Sequence, residues 1–240
     1  MASWFRPLVV IGLPIVTALA APQPGRALKP AEGPLALARI TPGPDADSRE
    51  AFQACREAAE HGDAEAQCRL ASMYYLGEGV TATPGEAAAW YRRAAQGGDV
   101  KAQSVLGMLY ADGDGVTRDP AEAARWLRKA AEHGDVDAQA KLGALCFVGE
   151  GTPRSETEAA KWLQLAAAQG DPGALGCLGM MYAVGTGVTR DPARAYALML
   201  RARAGGNTEI APSLDLLQRG LTPAQAEEGR RLAQQAQAGH

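Results

Sequence analysis

A Gly-Asp pair returns every 36 residues in this chain, at Gly62-Asp63, Gly98-Asp99, Gly134-Asp135 and Gly170-Asp171, with Gly206-Asn207 as an altered fifth copy. Trp90, Trp126 and Trp162 keep the same phase. So do the turn glycines Gly77, Gly113, Gly149 and Gly185, each followed two places on by Gly79, Gly115, Gly151 and Gly187. Ala66, Ala102, Ala138 and Ala174 repeat too, as do Leu70, Leu106, Leu142 and Leu178. A fixed period in the thirties marks stacked small units, none able to bury its apolar face alone. Function in such chains lies on an extended surface more often than in a compact pocket.

The second unit shows how one repeat is built. Val100 to Asp112 places Ala102, Leu106, Leu109 and Tyr110 at the spacing of a half-buried helix, helix A. Asp99 precedes it as an N-cap, and Gly113 can adopt the left-handed conformation that stops it. Asp119-Pro120 opens helix B, whose buried side carries Ala123, Trp126, Leu127, Ala130 and Ala131. The alanines allow close helix approach, while one large aromatic per unit fills space. That division explains a chain with 47% hydrophobic but only 5% aromatic residues.

Two copies depart from the pattern. The third turn, Gly149 to Pro153, lacks the valine found at Val80, Val116 and Val188, and Glu156 stands where the others have proline. The fourth has Leu198 in the Trp position and gains Tyr196, read as an aromatic moved along the helix to refill the volume.

The units AQSVLGMLYADGDGVTRDPAEAARWLRKAAEHGD and AQCRLASMYYLGEGVTATPGEAAAWYRRAAQGGD resemble Sel1-like repeats, relatives of the tetratricopeptide repeat with a longer turn between the helices. The resemblance implies an all-α, right-handed α-solenoid, with protein–protein interaction as its function. It divides the chain into an N-terminal capping helix at 47–61, four repeats at 62–97, 98–133, 134–169 and 170–205, and a degenerate half-repeat with a capping helix at 206–240. No cofactor is expected.

Residues 1–20 read as a secretory signal: Arg6, an apolar core from Leu8 to Ala20, and a small-x-small site at Ala18-Leu19-Ala20. Residues 21–46 carry six prolines without periodicity and read as a linker. The mature protein is expected to be periplasmic or secreted, with no membrane span once the signal is cleaved. Net charge is −3, and cleavage would make it one unit more negative, so neither nucleic acid nor an anionic membrane is favoured as partner.

Four cysteines bear on an oxidising compartment: Cys55, Cys68, Cys146 and Cys177. Cys55 and Cys68 flank the first Gly-Asp turn at similar helix heights, which admits either a disulfide or two buried thiols. Cys146 and Cys177 are offset by five residues in register, too far along the helix axis for a direct bond.

Candidate recognition positions lie on helix A and vary from copy to copy: Glu65, Arg69 and Ser72; Lys101, Val105 and Met108; Asp137, Lys141 and Ala144; Gly173, Cys177 and Met180. Met108 and Met180 are expected to be exposed, since methionine adapts to varied partners. The partner would be another protein or a peptide. No metal site is expected: Asp112-Gly113-Asp114-Gly115 imitates a calcium loop but lacks the next ligand. His61 and His133 are read as caps of helix carbonyls. The rival reading is a secreted penicillin-binding or weakly β-lactam-hydrolysing protein. Members of that type carry a regular cysteine pair in each repeat, and this chain has neither those pairs nor a Ser-x-x-Lys motif.

Overall fold

A computed structural model describes residues 46–238. The expected signal, the expected linker up to residue 45, and residues 239–240 lie outside the described residues. Eleven α-helices and one short 3-10 turn make up the described part: α1 (Ala46–Glu60), α2 (Ala64–Leu76), α3 (Pro84–Gln96), α4 (Val100–Asp112), α5 (Pro120–Glu132), α6 (Val136–Val148), α7 (Glu156–Ala168), α8 (Pro172–Val184), α9 (Pro192–Ala204), α10 (Ala211–Gly220) and α11 (Pro223–Ala238). No strand occurs among the described residues. The class is all-α, built from the helix pairs of an α-solenoid. The chain forms two compact units, divided between Ala138 and Gln139.

Each helix starts and stops where short-range chemistry directs it. The Oδ1 atoms of Asp63, Asp99, Asp135 and Asp171 accept the backbone N–H three residues on, at 3.0, 2.6, 2.8 and 2.6 Å. These bonds satisfy donors that the first turn of a helix leaves free. Asp119 and Asp191 cap their B helices similarly, and Ser155 does so in the copy that lacks proline. The third turn therefore keeps its shape. Ser155 N donates to the Cys146 carbonyl at 2.8 Å, as Asp119 N does to Tyr110 at 2.9 Å in the second copy.

The two glycines of each Gly-x-Gly turn have different tasks. Gly113 (φ 75°) ends α4 in the left-handed conformation. Gly115 also has positive φ, and a Cβ on it would strike the Pro84 carbonyl at the start of the preceding helix B. Gly79 meets the Ser48 carbonyl and Gly187 the Glu156 carbonyl in the same way. The second glycine is thus the point where one repeat's turn rests on its neighbour.

In the N-terminal unit (α1 to α5), α1 packs on α2, α2 on α3, α3 on α4 and α4 on α5. Leu70, Leu106, Tyr91 and Leu127 are fully buried. Within a repeat the helices meet glycine against a large side chain: a Cβ on Gly107 would lie 2.6 Å from Leu127 Cγ. Repeats are also tied by side-chain hydrogen bonds. Gln67 Nε2 donates to the Ala59 carbonyl at 3.1 Å and Gln103 Nε2 to the Ala95 carbonyl at 3.2 Å. Ser104 Oγ donates to the next N-cap, Asp135, at 2.7 Å.

In the C-terminal unit, α7 packs on α8, α8 on α9, and α9 on both α10 and α11. Gly143 faces Leu163 and Gly179 faces Met199, repeating the glycine-to-large contact. Thr222 and Gln225 form a reciprocal capping box at the start of α11, with bonds of 3.0 and 3.3 Å. Tyr196 is buried and also reaches the closing helix. Its ring lies where a Cβ on Gly229 of α11 would come within 2.8 Å, so it forms the seat of the closing helix. Leu198 is itself buried in the Trp position.

The repeat tryptophans differ from one another. Trp126 is 4% exposed, while Trp90 and Trp162 are half-buried. The fully enclosed side chains are their following neighbours Tyr91, Leu127 and Leu163, with Met199 after Leu198 in the fourth copy. Trp126 thus joins the core while Trp90 and Trp162 flank it, because the rotation of helix B points the next residue at the facing helix A position.

Gln103 carries a polar atom that lacks a partner in this packing. Gln103 Oε1 is buried without a hydrogen bond among the described residues. In the next copy the equivalent Gln139 Oε1 accepts from Gln169 Nε2 at 2.9 Å. Position 169 corresponds to His133, whose Nδ1 lies 2.8 Å from the Lys129 carbonyl instead. His133→Gln is therefore expected to stabilise the fold by about 1 kcal/mol, by supplying the missing donor. Urea denaturation followed by circular dichroism checks this; an unchanged or lower midpoint would refute it.

Candidate interaction surface

The helix A positions expected to recognise a partner are not all on the surface. Glu65 and Arg69 on α2 are exposed, and Lys101 on α4 and Asp137 on α6 are half-exposed. Met108 and Met180, expected to be exposed, are buried at 8% and 3%, and Val105 at 1%. The physical reason is helix rotation: positions 105 and 108 turn toward the neighbouring helices and join the core, as Val105 does beside Leu106 and Leu109. Lys141 is half-buried on α6 and belongs to the C-terminal unit, where Cys177 is also half-buried.

The N-terminal unit keeps a coherent polar face. Glu65, Lys101 and Asp137 occupy one repeat position and alternate in sign. Lys101 Nζ sits 2.9 Å from Asp137 Oδ2 and 3.9 Å from Asp135 Oδ2. Partial burial of Lys101 disfavours its charge, but the hydrogen bond to Asp137 and the two carboxylates outweigh this and raise its pKa. Asp135 thus has three tasks: it caps α6, accepts from Ser104 and faces Lys101. Arg69 is exposed, and its charge offsets the burial that raises the Glu78 pKa in the adjoining turn. Sequence reasoning missed Tyr75, whose hydroxyl donates to Asp114 Oδ2 at 2.6 Å. Burial first, and then that bond, raise its pKa. The signal was present: Tyr75 is a large aromatic where the second and fourth copies have Ala111 and Ala183.

The calcium-like acids have their own tasks, since Asp114 serves Tyr75. His61 Nδ1 lies 2.6 Å from the Glu57 carbonyl, so both loop histidines sit against the last turn of a B helix. The structure holds all four cysteines as thiols. Of the two arrangements the sequence admits for Cys55 and Cys68, this structure holds the pair of thiols, which turn to different partners. Cys55 Sγ donates to the Ala66 carbonyl at 3.4 Å, whereas Cys68 faces the Asp99 carboxylate. Burial, and then Asp99, push the Cys68 thiol up to about 12. Cys177 is likewise pushed up to about 12, by burial and then by Asp171.

This geometry sits on a recognised repeat. The Sel1 repeat pattern matches residues 64–99, 100–135, 136–171 and 174–207, more than half of the chain. The chain belongs to the Sel1 repeat family. Two solved structures share the Sel1 architecture. A protective antigen present in uropathogenic Escherichia coli strains, displaying an SLR fold, is 34% identical with a TM-score of 0.68, over 77% of this chain and 41% of that one. A Sel1 repeat protein from Oxalobacter formigenes is 36% identical with a TM-score of 0.64, over 71% of this chain and 49% of that one. The chain thus spans less than half the length of either. No curated protein gives a significant match. Sel1 repeat proteins generally serve as protein–protein interaction scaffolds.

Proposed function

We propose that this Sel1 repeat protein is an exported interaction scaffold, acting in envelope assembly or signalling, without catalysis of its own. The observation that carries the reading is the charge alternation Glu65, Lys101, Asp137 at one repeat position of the N-terminal unit. The buried positions repeat from copy to copy, while this face changes sign. Identical units could not set the register of a bound partner; units of different charge can. Arg69 adds an exposed guanidinium, the kind of group enriched among residues that dominate binding energy.

Absence of catalysis is supported by the thiols. Reactive cysteines need thiolate character and access, whereas burial raises the pKa of Cys55, Cys68 and Cys177. Export rests on the Arg6 to Ala20 pattern.

The test is site-specific photo-crosslinking in the envelope of the producing cell, with a photoreactive residue at position 69 and a second variant at position 53 of α1. A covalent adduct to another protein at 69 but not at 53, on a chain whose mature N-terminus follows Ala20, is the expected result. Adducts at 53 alone, or at neither position, would contradict the assignment. Nitrocefin hydrolysis abolished by a single Ser or Cys substitution would favour the enzyme instead.

A further inference from the structure

Arg93 and Lys129 hold the same place in successive B helices, α3 and α5, 36 residues apart. The Arg93 guanidinium lies 4.5 Å from the centre of the Trp90 ring, and the Lys129 ammonium 4.4 Å from that of Trp126. Both side chains are exposed. Neither has an anionic partner among the described residues. Their neighbours are held by hydrogen bonds of their own: Arg92 donates to the Tyr110 hydroxyl at 2.9 Å, and Arg125 grips both oxygens of Glu122 at 3.0 and 2.6 Å.

A cation in the last turn of a helix suits the helix dipole, and that alone would explain the two charges. It does not explain the rings beneath them. An indole under a cation fixes a long side chain that would otherwise sample many rotamers. Part of the ordering cost of binding is then met before any ligand arrives. The result is two positioned, unneutralised cations, one per repeat, on one compact unit. In the third copy Leu165 stands at the cation position, and Trp162 Nε1 points to Glu158 Oε1 at 3.4 Å. The pattern is therefore confined to the first two repeats.

We propose that this ridge, Arg93 on Trp90 and Lys129 on Trp126, docks an acidic, extended peptide segment of a partner protein. Carboxylates spaced along an extended chain can reach neighbouring repeats in turn, and a peptide rich in acid complements the two cations. The remaining acids of the two helices, Glu86 and Glu132, make no ion pair with either cation. The ridge lies on the B helices and the face proposed above on the A helices, so either assignment can fail alone.

The probe is a fluorescein-labelled Glu-Ser repeat peptide, titrated by the full exported chain at low and moderate salt and read by anisotropy. Wild-type protein should bind it saturably and more weakly as salt screens the charges. Arg93→Gln/Lys129→Gln should weaken binding about tenfold. Arg219→Gln/Arg230→Gln removes the same charge from exposed positions on α10 and α11 and should leave binding unchanged. All four sites are at the surface, so circular dichroism should show both variants folded. No saturable binding by the wild type would overturn the proposal. So would equal weakening in the two double variants, which would reduce the effect to net charge.

Discussion

Tyr91→Ala should destabilise the protein far more than Trp90→Ala, although the tryptophan is the residue that keeps the repeat phase. Tyr91 has no exposed surface, and its hydroxyl lies 2.9 Å from Ser72 Oγ. Truncation opens a cavity facing helix A and strips Ser72 of that contact. The expected loss is about 3–5 kcal/mol. Trp90 is half-buried under Arg93, so its removal forfeits part of a ring already in contact with water and one cation–π contact. About 1–2 kcal/mol is expected there. Trp126, at 4% exposure and flanked by both Arg125 and Lys129, should fall with Tyr91. Urea midpoints for the three alanine variants give the ranking; a Trp90 loss equal to that of Tyr91 would show that the phase-keeping ring is core after all.

Gly115→Ala is expected to be among the most damaging single methyl additions in the described residues, with the equivalent changes at Gly79 and Gly187. The residue has φ 67°, which costs a side chain about 1–2 kcal/mol. The added Cβ also collides with the Pro84 carbonyl and comes within 3.1 Å of Gly85 N, all backbone that cannot rotate away. Repacking around such a group typically costs a further 1–3 kcal/mol or so. Gly98→Ala separates the two effects. Its φ is 96°, yet nothing lies within 4 Å of the added carbon. Gly98→Ala should therefore show only the conformational cost. Equal losses in the two variants would mean that the turn does not rest on the preceding helix.

The repeat itself was legible because its devices are local. An N-cap aspartate, a left-handed glycine and the 3.6-residue spacing act within a few residues, and each recurs four times. Rotation of each helix about its axis was not legible, since it depends on which neighbour supplies the space. Gly107 looks like a helix-weakening residue in sequence; only the packed pair shows that it receives Leu127. The same rotation took Met108 and Met180 off the candidate face and left Glu65, Arg69, Lys101 and Asp137 on it. The direction of the Cys55 and Cys68 thiols stayed open in the sequence for a related reason. Equal height along two helices places Cα atoms but not thiols, and Asp99 draws the Cys68 thiol toward the following repeat. Tyr75 was overlooked because its partner, Asp114, is 39 residues away.

Recognition through the helix A face of the N-terminal unit is tested most directly by charge exchange on α2. Glu65→Lys/Arg69→Glu keeps the net charge and alters two exposed side chains for which no hydrogen bond or ion pair is seen among the described residues. Binding to the protein captured by crosslinking would be measured by surface plasmon resonance, with Arg230→Glu on α11 as the comparison. The scaffold account predicts at least about a tenfold loss of affinity for the α2 exchange, as expected for a residue at the centre of an interface, and wild-type affinity for Arg230→Glu. Wild-type affinity for the α2 exchange, with binding lost in Arg230→Glu, would contradict it.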